Sequence, residues 1–167
     1  YTDLAIGVGR ILGINLTENF NNPYLRPNLT LFWNNWHMTL TNWFRAYFFN
    51  PVTRALRSGA RPLNPILGLF LTQLATFVLI GLWHGTTWNF VLWGAWHGVG
   101  LFLQNRWSEW MRPRYEALER RPRLHAALTV FTTLVTFHFV ALGWVWFALP
   151  DVSLSLRVLG MLVGLMP

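Results

Sequence analysis

Apolar and polar positions fall along this chain in blocks too long for an ordinary soluble fold. Residues 66–83, ILGLFLTQLATFVLIGLW, run for 18 residues without a charge. At 1.5 Å per residue a helix over them is about 27 Å long, enough to cross the apolar core of a bilayer. His84-Gly-Thr-Thr interrupts the run. Residues 88–104 then resume a second apolar segment carrying His97, and residues 126–149 form a third with His138 near its middle. Residues 1–16 read as the end of a membrane helix, and 152–166 as the beginning of a further amphipathic or spanning one. The expected fold class is all-α: several transmembrane helices plus one amphipathic in-plane or cavity-lining helix.

That last helix is expected over residues 29–49, LTLFWNNWHMTLTNWFRAYFF. Asn34, His37, Thr41 and Arg45 fall at i, i+3, i+7 and i+11, a polar stripe opposed by Trp33, Trp36, Leu40, Trp43, Phe44 and Tyr47. The stripe is too polar for lipid and too poor in charge for a surface anchor, which would carry basic residues along its polar face. A helix facing a wet cavity inside the protein satisfies both conditions. Asn50-Pro51 is expected to end it, with loops at 17–28, 52–65 and 105–125. In the first stretch Asp3 and Arg10 share a helical face. Asp3 is either a functional intramembrane carboxylate or a paired, wet residue at a helix end, and the residues leave both open.

Composition sharpens this picture. The chain is 53% hydrophobic and 17% aromatic with only 11% charged residues, against about 25% in soluble domains. Its net charge of +7 comes entirely from arginine. The arginines cluster in the expected loops (Arg54, Arg57 and Arg61 in one, Arg106 to Arg123 in the other), a topology signal rather than a phosphate-binding face, so no nucleic-acid partner is expected. If both apolar segments around His84 span, these loops lie together on the cytoplasmic side and the His84 turn lies opposite. Cysteine is absent, which excludes disulfides and thiolate chemistry. Tyr1 opens inside an apolar stretch, so we expect a piece of a longer multi-pass protein of the cell inner membrane.

Candidate chemistry rests on histidine. His125 lies in a basic loop and is expected to be solvated, and His138 to be a neutral core histidine. On one continuous helix His84 and His97 would be turned about 220° apart, and no HExxH or His-x3-His spacing occurs, so no metal site is expected. The serines lack a GxSxG setting. His84 and His37 remain, each beside tryptophan (Trp83-His84 and Trp36-His37), where aromatic walls would exclude water. A base there would deprotonate a hydroxyl attacking a thioester.

At these residues the chain resembles the membrane-bound O-acyltransferase family, in the bacterial branch that includes alginate O-acetyltransferase and the teichoic acid D-alanyl-transfer protein. The resemblance is carried by YTDLAIGVGRILGINLTENFNNPYL, FWNNWHMTLTNWFRAYFF, GLWHGTTWNFVLWGAWHG and, more loosely, VALGWVWFAL. It implies one membrane-embedded acyltransferase domain, with further helices outside residues 1–167. It also implies transfer of an acyl group, acetyl first, to hydroxyls of an exported or cell-wall polysaccharide such as alginate. On the same resemblance no bound cofactor is expected, and acetyl-CoA or another acyl thioester is the expected donor substrate. His84 takes the place of the family's key histidine as general base. His37 positions substrate or polarises the acyl carbonyl, and Asp3, Asn34, Arg45, Trp83 and His97 support. Ala46 stands where relatives often carry Asp. The alternative is a membrane subunit that relays acetyl or D-alanyl, with an extracytoplasmic transferase or acyl-carrier protein as partner. A transporter, argued from intramembrane polar residues alone, would show no dependence on an acyl donor.

Overall fold

The computed structural model describes residues 2–59, 62–118 and 120–165, and every regular element among them is helical. Helix α1 covers Thr2–Ile11; a 3-10 turn at Pro23–Leu25 leads to α2 (Leu29–Asn35), α3 (Met38–Phe44), a π-helical turn (Arg45–Phe49) and α4 (Asn50–Ser58). Then come α5 (Pro65–His84), α6 (Trp88–Leu118), α7 (Pro122–Ala148) and α8 (Val152–Leu162). Two of these, α5 and α7, are long and apolar enough to cross a membrane.

The expected single helix over 29–49 is instead broken. His37 takes a left-handed backbone conformation (φ 43°, ψ 56°), ending α2 and starting α3. Tertiary contacts hold the break. Asn21 N–H donates to Asn35 O (3.0 Å), Met38 N–H to Asn19 O (3.0 Å), and the Thr39 hydroxyl to Asn19 Oδ1 (2.7 Å). The 17–28 loop is thereby sewn to the break. Pro51 does not terminate a helix either; helical backbone runs from the π-helical turn through Phe49 and Asn50 into α4, and the wider turn accommodates the proline in the second position of α4. The 52–65 segment is therefore helical as far as Ser58, and the 105–125 segment is helical through Leu118, α6 carrying Pro113 within it. Arg61 and Glu119 of those segments lie outside the described residues.

Helices α5 and α6 form an antiparallel hairpin with nearly touching backbones. A Cβ on Gly94 would strike the carbonyl of Phe77, and one on Gly81 the carbonyl of Phe90; only glycine permits that approach. Polar groups on α5 are satisfied internally. The Thr72 and Thr76 hydroxyls donate one turn back, to Gly68 O (2.8 Å) and Thr72 O (2.7 Å), and Gln73 Nε2 crosses to Gly98 O at 3.2 Å. Trp96 Nε1 joins α6 to Phe139 O of α7 at 3.0 Å. Asn89, at the start of α6, donates to Leu149 O (2.8 Å) and Ser155 Oγ (3.0 Å), fastening α8 beside the His84 turn. The core is aromatic: Phe32, Trp33, Phe77, Trp93 and Trp146 are all buried.

Candidate active site

The histidine expected at the end of the apolar run is the last residue of α5, and Gly85 N–H closes onto Gly81 O as the helix stops. Cβ atoms on a helix tilt toward its N-terminus, so the His84 ring leans back over the turn that carries Ile80. It packs edge-on against Phe147 (centroids 4.9 Å), Trp93 (5.6 Å) and Trp83 (4.8 Å). The ring is accessible, and neither of its nitrogens is hydrogen-bonded among the described residues.

His37 approaches from the break between α2 and α3. Its left-handed backbone is uncommon for a residue with a Cβ and costs about 1–2 kcal/mol, which the surrounding contacts must over-determine. The imidazole lies near Phe20 (6.0 Å) and edge-on to Trp83 (6.2 Å), and its Nδ1 is enclosed without a partner.

The two histidines line one cavity of about 470 Å³. Its other walls are Phe20, Tyr24, Trp33, Trp36, Leu40, Ile80, Trp93, Trp144 and Phe147, so the imidazoles are its titratable groups apart from the Tyr24 phenol. The phenol is engaged: Trp144 Nε1 donates to Tyr24 Oη at 3.2 Å. The arrangement places an accessible imidazole on an open, aromatic-walled cavity, within reach of a substrate hydroxyl as a general base must be.

The other candidates disperse around this cavity. Trp83 is 58% exposed and bridges the two histidines edge-on without lining the cavity itself. His97 is fully buried behind Trp93 (5.0 Å) and against Trp33 (5.1 Å), with Gly143 packed on its Nε2; it lies in the core, not in the cavity. Asn34 and Arg45 do not share a surface with His37 as one continuous stripe would require. Arg45 Nη2 donates to Asn34 Oδ1 at 2.6 Å, and both line a second cavity of about 230 Å³ with Thr30, Thr41, Gln73, Thr76 and Asn105. The left-handed residue 37 is what separates the two groups. Asp3 lies in a third, polar recess with Glu18, Asn21 and Asn22, which shares Phe20 and Tyr24 with the histidine cavity. His138 is exposed rather than in the core, and its Nδ1 meets Leu134 O one turn back at 2.7 Å. Among the described residues no three metal-ligating side chains converge.

Sequence reasoning missed Phe20, Tyr24, Trp93 and Phe147 as cavity walls and Asn89 as the clip. Only the α5 residues carried a usable signal: Thr76, Ile80 and His84 repeat at i+4 and share a face.

Comparison with known proteins gives the family. The family model for membrane-bound O-acyltransferases matches residues 2–142. A peptidoglycan O-acetyltransferase of Helicobacter pylori is 31% identical over 99% of this chain and 28% of its own length. A probable alginate O-acetylase of Pseudomonas aeruginosa is 35% identical over 95% of the chain and 27% of its own. A teichoic acid D-alanyltransferase of Bacillus subtilis is 34% identical over 89% and 36%. The chain thus spans between about a quarter and about a third of these relatives' length. With the match running from α1 into α7 and across both histidines, the chain belongs to the membrane-bound O-acyltransferase family.

Proposed function

We propose that this chain carries the reaction centre of a membrane-embedded O-acyltransferase domain. It moves an acyl group, acetyl in the first instance, from a thioester donor such as acetyl-CoA to hydroxyls of an exported or cell-wall polysaccharide. The observation that carries this reading is the meeting of His84 and His37, from α5 and from the α2–α3 break, on one aromatic-walled cavity. The relatives' names, acetylases of alginate and peptidoglycan among them, support acetyl and a glycan acceptor such as alginate.

In this reading His84 takes the proton of the acceptor hydroxyl as its oxygen attacks the thioester carbonyl. His37 donates to the carbonyl oxygen as negative charge gathers there; with Nδ1 enclosed, Nε2 is the nitrogen left for that role. The tetrahedral intermediate collapses with cleavage of the C–S bond. The departing thiolate takes the proton from the His84 imidazolium, leaving an O-acyl ester, a free thiol and the neutral base. Asn34 and Arg45 support from the neighbouring cavity, and Asp3 from the recess that shares Phe20 and Tyr24 with the histidine cavity.

We assign the uncharged first part of α6 as a span beside α5 and α7, in the cell inner membrane. Arg54, Arg57 and the arginines from Arg106 to Arg123 then lie on the cytoplasmic side, with the His84 turn opposite. The test is the O-acetyl content of extracted glycan in cells expressing the full-length protein with His84→Ala, at matched membrane abundance. Loss of a general base predicts a fall of about 10²-fold or more in transfer. Acetylation at the wild-type level would remove His84 from the chemistry.

A further inference from the structure

Helix α6 outruns its partner at the end away from the His84 turn. Gly94 lies against Phe77 and Gly98 against Leu74, so the antiparallel pairing reaches the start of α5 near Trp107. From Ser108 to Leu118 α6 continues beyond it. One face of α6 stays exposed along this course. Val99, Leu103, Trp107, Trp110 and Arg114 repeat at i, i+4, i+8, i+11 and i+15, within about 80° of one another around the axis. All five are exposed. Over about 22 Å of helix the stripe passes from aliphatic to aromatic to cationic. The Trp107 and Trp110 rings lie 5.0 Å apart, and the Arg114 guanidinium sits 4.8 Å from the centre of the Trp110 ring.

Helix α7 returns beside it and changes in the same order. Its exposed surface is apolar at Val130 and Phe131 and becomes basic at Arg123 and Arg121. The tip is closed by Arg121 N–H donating to Leu118 O at 2.8 Å. Residues 112–123 carry five arginines against Glu116 and Glu119, while Glu109 is taken by Arg106.

We propose that this stripe and the basic tip of the α6–α7 hairpin form a binding face for an anionic phospholipid. Its acyl chain lies along Val99 and Leu103, its glycerol region at the two indoles, and its headgroup phosphate on Arg114. The order of chemistries is what selects a lipid: hydrocarbon, then aromatic rings, then cations is the polarity profile of one bilayer leaflet. The excess of arginine at the last level selects negative headgroups over zwitterionic ones. The proposal rests on the assignment of α6 as a span and is independent of the acyl chemistry.

The experiment uses the full-length protein in nanodiscs of phosphatidylcholine and phosphatidylglycerol, with a fluorophore on Ala117→Cys, an exposed position of the tip. Quenching is measured with spin-labelled phosphatidylglycerol and, separately, spin-labelled phosphatidylcholine, and read as the ratio of the two efficiencies. The otherwise unaltered protein prefers phosphatidylglycerol. Arg114→Gln lowers that preference by about fivefold, the share of one interfacial cation, and Arg114→Lys retains it. Arg157→Gln, on α8 at the other end of the bundle, leaves it unchanged. Equal quenching by the two lipids overturns the proposal, and is the result an acidic protein partner for this face would give. An undiminished preference in Arg114→Gln overturns it too, as does an equal loss in Arg157→Gln. Quenching by neither lipid overturns the span assignment itself.

Discussion

Gly94 is a place where the α5–α6 hairpin leaves no room for an added atom. A Cβ there meets the carbonyl carbon of Phe77 and Cα of Val78, each at 2.8 Å, and the Phe77 oxygen more closely still. All three are backbone atoms of a packed helix, so no flexible side chain can give way. Gly94→Ala must therefore push the two helices apart. Overpacking of this kind costs about 1–3 kcal/mol, and backbone contacts place Gly94 at the upper end. The helix-propensity gain of Gly→Ala offsets about 1 kcal/mol, leaving a net loss of about 2 kcal/mol. Gly98 and Gly7 provide the scale. At Gly98 the nearest atom is Leu74 Cα at 3.1 Å, so crowding and propensity are expected to cancel within about 1 kcal/mol. At Gly7 nothing lies within 4 Å, and the propensity gain of up to about 1 kcal/mol stands alone. Thermal unfolding of the three full-length variants in detergent, followed by size-exclusion recovery after heating, should rank Gly94→Ala below Gly98→Ala below Gly7→Ala. The reasoning fails if Gly94→Ala survives heating as well as Gly7→Ala.

Two further outcomes follow from local geometry. His37→Ala and His37→Gly should both lose acyl transfer, but the glycine variant should be the more stable by about 1 kcal/mol because it relieves the left-handed backbone; equal stability would mean that residue 37 carries no strain. Asp151, outside the spans, caps α8. The N–H of Leu154 (2.8 Å) and then the Ser153 hydroxyl (2.7 Å) hold its carboxyl below the ordinary carboxylate range. Its stabilisation is complete above about pH 4 and is lost as the pH falls through the lowered value. Hydrogen exchange should show Leu154 losing protection on acidification in wild type, whereas Asp151→Ala should be unprotected throughout; a pH-independent wild type would refute the cap.

The two long apolar helices were legible because their signal is local: an uncharged run of the right length has few alternatives, and α5 occupies residues 65–84 against the expected 66–83. The break at His37 was not legible, since spacing at i, i+3, i+7 and i+11 reads straight through it. Its cause lies elsewhere in the chain, in Asn19 and Asn21 binding the strands of backbone on either side. The arginine-rich segments misled in the opposite way. Arginine is a good helix former, and the wider π-helical turn lets helical backbone continue through Pro51. The histidine pair was legible as two residues in similar tryptophan settings. The walls of their cavity were not, because Phe20, Trp93 and Phe147 are brought together from three separate elements.

The clip at Asn89 bears on the order of biosynthesis. Its two acceptors, Leu149 O and Ser155 Oγ, lie 60 and 66 residues further along the chain, and the Phe147 and Trp144 walls come from the same late stretch. A ribosome delivers His84 and His37 long before these partners exist, and nascent chains organise from the N-terminus onward. The nascent chain thus holds His84 of α5 and His37 of the α2–α3 break in a trough open along one side. The last walls of the histidine cavity are set only when the end of α7 arrives and α8 is fastened beside it, making that cavity a late product of folding.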